Sequence, residues 1–522
     1  MTAPHPEPTA PPPHPDHPAG SEPAQRQRAG LVSTLDGIVV GASVLAFCVF
    51  LFAVARRLRY PFELEWMEGA VLDHVRVVLS GQPLYRAPSV AFTPFLYTPF
   101  YYAVCALLAR VFGVGFVVAR AVSLASILGS FLLIADFVRR ETRDLTASIA
   151  AAGMFVATYE LTGFWFDLAR VDSLFLLLLL LGTWLGRFGK SNTAAAAAAI
   201  VLFLAFFTKQ TGLALALPGL AFAFLTSWRR GILAVTLFAA LSLGAVAWMN
   251  HVSHGWFAYY VFDVPLQHQM LWDRWATLLL QFFWAPVAVP MLLSLLAFVS
   301  PAIRRHGWLR WACYLCLTVL ALGASYSGLL HRDGYVNVLT PGYAVVAIVG
   351  GLAYAWIRSH AQPSASSLRC FASAAIVLGF AVLTYDVTRA LPTARDVYAG
   401  REMVRALRQV RGPVWAPGAG FVASMAGHDE IGAHAMGIAD IFKTRDGPTR
   451  DRLRQEIIAT LRQKRYPSIV FDRGWELMPP ELTQELRASY RLETKLFPSS
   501  MSDACWPRTG FHTRPEELWV PR

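Results

Sequence analysis

The chain has 522 residues, 55% of them hydrophobic and only 15% charged, with a formal net charge of +12. Soluble domains carry about 25% charged residues, so the composition excludes an ordinary soluble protein and points to an integral membrane protein. The positive balance does not mark a nucleic-acid binder, because the basic residues fall mainly in loops between apolar runs and in a polar C-terminal region.

Residues 1–25 are rich in Pro and His and nearly free of large apolar side chains, so a disordered tail is expected over 1–30. The tail lacks the compact charged and apolar regions of a cleavable signal, and the first span is therefore expected to stay as an anchor. Apolar runs then recur over approximately 34–55, 116–138, 145–164, 173–187, 193–208, 211–227, 231–250, 277–299, 309–328, 335–357 and 369–388. Runs of this kind cross a hydrocarbon core of about 30 Å as helices. The alternating ten-residue segments of a β-barrel do not occur. Five cysteines lie in or beside the runs, where they act as small hydrophobes. Cys313 and Cys316 form a CxxC without histidine partners, and Cys505 stands alone in the C-terminal region.

The run 94–112 carries Pro94, Pro99 and the tyrosines Tyr97, Tyr101 and Tyr102 near its start, which suits an interfacial helix. Charge decides its placement. With 94–112 on the surface and a cytoplasmic N-terminus, the cytoplasmic loops hold Arg139-Arg140, Arg187 with Lys190, Arg229-Arg230, Arg304-Arg305 and Arg358 with Arg369. The other side receives Asp167, Asp172, Asp263, Asp273, Asp333 and the glutamates Glu63, Glu65 and Glu68. A spanning 94–112 would reverse all later loops against the positive-inside rule. Arg56, Arg57 and Arg59 are exceptions, expected to snorkel to headgroups or meet a phosphate. Beyond about 393, 412–415 and 466–471 read as strands and 449–465 as a helix, with Leu453, Ile457 and Leu461 at helical spacing.

The fold class is thus an all-α polytopic membrane domain of about eleven transmembrane helices over 31–392, with interfacial helices, plus a small extracytoplasmic α/β domain over 393–522. A multi-pass protein of the plasma or inner membrane is expected. On this topology the unusual polar residues gather on one face: Glu63, Glu65, Glu68 and Asp73 from the first external loop, Asp167, Arg170 and Asp172 from the second, then Lys209 with Gln210, and finally His331, Arg332, Asp333 and Asn337. Paired carboxylates and cations in a partly dry cleft are functional candidates. Each also has a plain structural reading. Asp167 and Arg170 are spaced as an i,i+3 pair, Asp172 can favour the amides of the next span, Lys209 can snorkel, and His331 can be a wet loop histidine.

Glu65-Trp66-Met67-Glu68-Gly69, Gly81-Gln82-Pro83-Leu84-Tyr85 and Tyr97-Thr98-Pro99-Phe100-Tyr101 resemble the first external loop of GT-C membrane glycosyltransferases. The likeness is to the branch containing protein O-mannosyltransferases and lipid A aminoarabinose transferases. It extends to Arg170-Val171-Asp172, Lys209-Gln210-Thr211 and Gly334-Tyr335-Val336-Asn337. The resemblance implies transfer of a sugar from a polyprenyl-phosphate donor to an extracytoplasmic glycan, lipid or protein acceptor, with inversion at the anomeric carbon. It implies a catalytic carboxylate at Glu65 or Glu68 and another at Asp172. The glutamate spacing departs from the family's common Asp-Glu pair.

Arg170, Lys209 and Arg332 are available to bind the donor phosphate, and Glu63, Tyr85, Tyr97, Gln210, His331 and Asn337 to contact substrate. A metal-free mechanism is expected, the alternative being a divalent cation held by Glu68 and Asp172 as Lewis acid. The amphipathic pieces 66–80 and 94–112, with an aromatic segment over 253–275, are expected to shape the lipid boundary. The rival reading is a polytopic transporter or flippase for a glycolipid, which repeated halves and midplane charges would mark; neither is evident in the sequence.

Overall fold

The computed structural model describes residues 21–299, 307–360 and 366–522. Most of the expected tail and the Arg304-Arg305 pair lie outside them, while helix already begins at Ser21.

Nine helices form the first half: α1 Ser21–Arg57, α2 Glu68–Leu79, α3 Phe100–Phe112, α4 Phe116–Thr142, α5 Leu145–Ala157, α6 Asp172–Phe188, α7 Asn192–Phe206, α8 Gly212–Thr226 and α9 Trp228–Val252. Local signals set several ends. Asp144 accepts from the Ala147 amide (3.0 Å) to start α5, and Ser191 accepts from the Ala194 amide (3.1 Å) to start α7. Among the described residues five helices are long and apolar enough to cross a membrane, or up to seven if each of two bent pairs is one span. Four shorter apolar helices accompany them. The protein is therefore a multi-pass membrane protein on this evidence of length and composition. Helix α3, at 13 residues, spans about 20 Å and falls short of a core of about 30 Å.

Helix α1 is fastened at two points. Along its length Asp36 takes hydrogen bonds from Tyr354 and Ser373 (3.0 Å each) and pairs with Arg358, which also binds Asp144 at 2.7 Å. At its C-terminal end the fully buried Arg57 donates to Asp167 (2.8 Å) and to the carbonyls of Phe164 (2.9 Å) and Ala390 (3.0 Å). Arg57 thus neither snorkels nor faces a headgroup, because a carboxylate and two carbonyls satisfy it inside. Asp167 is committed to Arg57 and to the Tyr159 hydroxyl (2.6 Å), so it does not pair with Arg170.

The C-terminal region carries a four-stranded sheet of order β1-β2-β4-β3. Strands β1 Val414–Trp415 and β2 Ser468–Phe471 form where the sequence predicts them and pair in parallel. The helix Pro448–Arg462 buries Leu453, Ile457 and Leu461 as its spacing requires. Strands β3 Tyr490–Lys495 and β4 Glu517–Pro521 were not legible, since neither shows clean apolar alternation.

This region rests on α2. A Cβ on Gly69 would lie 1.9 Å from the Gly420 carbonyl oxygen, so only glycine permits the contact. Asp73 accepts from the Phe421 amide at 2.9 Å, and Arg76 donates to the Asp429 carbonyl at 3.0 Å. Helix α2 is consequently buried on nearly every side. It does not offer an apolar face to lipid as its amphipathic pattern suggests, because α3 and α4 pack on its apolar side while the C-terminal region covers the polar one.

Candidate active site at the first acidic loop

The loop after α1 is shaped by one residue of α4. Arg120 donates to the carbonyls of Tyr60 (2.6 Å), Phe62 (2.6 Å) and Arg57 (3.3 Å), and grips Glu68 through Nε (2.9 Å) and Nη2 (2.6 Å). Glu68 also accepts from the amides of Leu64 (2.7 Å) and Ala169 (2.8 Å). Four donors therefore fill its two oxygens and stitch the first loop, α4 and the second loop together. Burial alone would raise the Glu68 pKa, but Arg120 and the two amides hold it below the usual carboxylate value. Arg120 is a lone cation in an apolar run, and that was the signal for its importance in the sequence.

Glu65 is bound more lightly. Its Oε2 accepts from the Met67 amide and from Arg170 Nη1, each at 3.2 Å. Burial pushes its pKa up to about 7, opposed by the Arg170 charge and reinforced by Glu68. A carboxyl that titrates near neutrality, in a site with fixed cations, is suited to proton transfer. Glu63 accepts from the Gly69 amide at 3.0 Å; burial also drives its pKa upward, well above normal. It lines a small cleft, with room for about 30 Å³, together with Phe116, Thr513 and Arg514.

Arg170 links Glu65 to a second carboxylate cluster. Its Nη2 donates to the Tyr97 hydroxyl (3.2 Å), and its guanidinium lies over the rings of Trp165 (5.2 Å) and Tyr97 (5.7 Å). Trp165 Nε1 donates to Asp172 at 2.8 Å, and Lys209 Nζ (2.7 Å) and Asn337 Nδ2 (3.1 Å) bind the other Asp172 oxygen. Asp172 is the first residue of α6, yet its side chain serves Lys209, Asn337 and Trp165 rather than the helix amides. Tyr85 and Gln210 hold the neighbouring backbone: the Tyr85 hydroxyl donates to the Tyr97 carbonyl (2.6 Å) and Gln210 to that of Leu96 (2.9 Å).

The structure thus gathers Glu65, Arg170, Tyr97, Asp172, Lys209 and Asn337 into one connected network, with Glu68 beside it. Arg332 and His331 stand apart. Arg332 binds Gln269 through its amide (2.9 Å) and its guanidinium (3.3 Å), and His331 packs on His268 with ring centroids 5.0 Å apart. Among the described residues no hydrogen bond or ion pair joins either to the network; both brace the 253–275 segment. Tyr260 of that segment donates to the Arg86 carbonyl at 3.0 Å, and Phe257 packs on Tyr85. Trp165, Tyr335 and Thr509 belong to the site and were missed as individual residues.

A divalent ion held by Glu68 and Asp172 does not fit this geometry, because Arg120 and two amides fill Glu68 while Lys209 and Asn337 occupy one Asp172 oxygen. Among the described residues no cluster of three or more His, Cys, Asp or Glu side chains could hold a metal.

The candidate site thus lies where the first two loops meet the C-terminal region. Among solved structures the chain is similar to ArnT from Cupriavidus metallidurans in the apo state, with TM-score 0.55 and 14% identity over 93% of this chain and 98% of that one. It is similar also to ArnT from the same organism bound to undecaprenyl phosphate, with TM-score 0.53 and 13% identity over the same shares. At these identities the likeness is one of fold. No protein-family model and no curated protein matches the sequence.

Proposed function

We propose that the protein is a membrane glycosyltransferase that moves a sugar from a polyprenyl-phosphate donor to an extracytoplasmic acceptor hydroxyl. The observation that carries this reading is the pairing, in one buried network, of a lightly held carboxyl at Glu65 with the cations Arg170 and Lys209. The fold shared with an ArnT solved with undecaprenyl phosphate supports a lipid-phosphate donor.

In this mechanism ionised Glu65 takes the proton of the acceptor hydroxyl while the hydroxyl oxygen bonds to the anomeric carbon. The bond from that carbon to the phosphate oxygen breaks, and the electron pair leaves on the phosphate. Arg170 and Lys209 stabilise the growing negative charge. Asp172 orients Lys209, and a single displacement inverts the configuration. Glu68 becomes a framework carboxylate rather than a base, and Arg332 loses its role at the phosphate. The accompanying topology has eleven spans, the shorter helices included, a cytoplasmic N-terminus and residues 393–522 outside.

Purified protein offered a radiolabelled polyprenyl-phosphate sugar and a mixed envelope extract should form a glycosidic product. Movement of the lipid across vesicles with no such bond would instead indicate a flippase. Replacing Lys209 with methionine should raise the donor KM about tenfold or more through loss of a buried phosphate contact. Initial rates at varied donor concentration read this.

The pH dependence follows from Glu65. Its base form is present above its pKa and lost below it, so transfer should rise through about pH 7. An exposed glutamate would give a limb near 4.3. Arg170→Gln removes the charge that opposes burial and should move the limb to higher pH; a limb that stays in place would separate Arg170 from Glu65.

A further inference from the structure

A strap from the C-terminal region lies directly on Glu65. The amides of Arg508 (2.8 Å) and Thr509 (3.2 Å) both donate to the Leu64 carbonyl, and Thr509 bridges Glu65 in a parallel register. Gly510 follows at φ +78°, where a Cβ would lie 2.9 Å from Glu65 Oε1. Glycine is therefore required both by conformation and by space. The strap's flanks are well fixed. Arg508 pairs with Asp396, Trp506 stacks on His512 at 4.1 Å, and the Arg514 guanidinium lies 4.0 Å from the Phe497 ring centroid.

Its apex is not. Apart from the two amide bonds to one carbonyl, the apex is held by a hydroxyl pair, Thr509 Oγ1 with Tyr335 at 2.8 Å. Tyr335 packs on Trp165 with ring centroids 5.2 Å apart, and Trp165 donates to Asp172. One hydroxyl contact thus ties the roof over the first carboxylate to the side chains around the second. With Glu65 only 1% exposed beneath the strap, no acceptor reaches it while the roof is down.

We propose that Thr509, hydrogen-bonded to Tyr335, is a positioning residue that latches the 508–510 strap over Glu65 and so controls the solvation of that carboxylate and acceptor access to it. The latch itself does not depend on the proposed reaction; only its kinetic consequence rests on Glu65 as base. The charged groups around Glu65 are Arg170 from the second loop, Glu68 on α2, Asp172 on α6 and Glu63 on its own loop, with Arg508 on the strap. The variants below alter none of them.

The test is hydrogen exchange of the 506–513 peptide in the full-length protein, together with the pH profile of transfer. Thr509→Val and Tyr335→Phe each remove the hydroxyl contact and should speed exchange of the Arg508 and Thr509 amides about fivefold, the value of one ordinary hydrogen bond. The double variant should be no faster than either single one, and Thr509→Ser should match the parent. The lower pH limb should fall towards the ordinary glutamate value as water reaches Glu65. Unchanged exchange in both single variants, or Thr509→Ser behaving as Thr509→Val, would overturn the latch. Faster exchange with an unmoved pH limb would overturn its control of Glu65 solvation. If the parent exchanges as expected yet transfers no sugar, the functional reading fails and the latch stands.

Discussion

Replacing Arg120 with methionine is expected to destabilise the protein by about 3–5 kcal/mol, the cost of leaving a buried charge without its partner. Both Arg120 and Glu68 are fully buried, and the guanidinium serves Glu68 and three loop carbonyls at once. Methionine fills much of the same volume but supplies no donors. Lysine is no substitute either, since it brings a point charge where a planar fork is needed. Thermal unfolding in detergent reads the effect. A variant as stable as the parent would show that the loop is organised by something other than Arg120. The double variant with Glu68→Gln should recover part of the loss, because the uncompensated carboxylate is gone.

Glu65→Gln is expected to reduce transfer about 10²–10⁴-fold, the usual contribution of a general base, while leaving the unfolding midpoint close to the parent's. The amide keeps the shape of the side chain, and only two contacts at 3.2 Å depend on its oxygen. Glu68→Gln should behave differently. Its amide nitrogen would face Arg120 or the Leu64 or Ala169 amide, donor against donor, so activity and stability should fall together. Initial rates measured beside unfolding midpoints distinguish the two. A folded Glu65→Gln protein that transfers sugar at the parental rate would move the base elsewhere.

The contrast between these two glutamates marks how far the sequence could be read. The gathering of Glu65, Arg170, Asp172, Lys209 and Asn337 was legible, because charge bias placed their loops on one side and the motifs named the positions. Which glutamate is free was not. That depends on Arg120, 52 residues beyond Glu68, and no local pattern records such a contact. Arg332 was placed with the others by its charge, whereas in the structure it contacts Gln269 and has no bond to the network among the described residues. The helix Pro448–Arg462 was visible through its 3.6-residue period. The 508–510 strap has no periodicity at all and acquires meaning only by lying on Glu65. Helix length was less legible than apolarity, since several apolar runs fold as helices of 13–15 residues.

The two fastenings of α1 bear on how the protein is made. Asp36 emerges early in synthesis, while its partners Tyr354, Arg358 and Ser373 follow more than 300 residues later. The Arg57 contact to Ala390 closes across 333 residues. During that interval the first helix carries Asp36 and Arg57 with part of their final company still untranslated, so the bundle closes around it only when the late helices arrive.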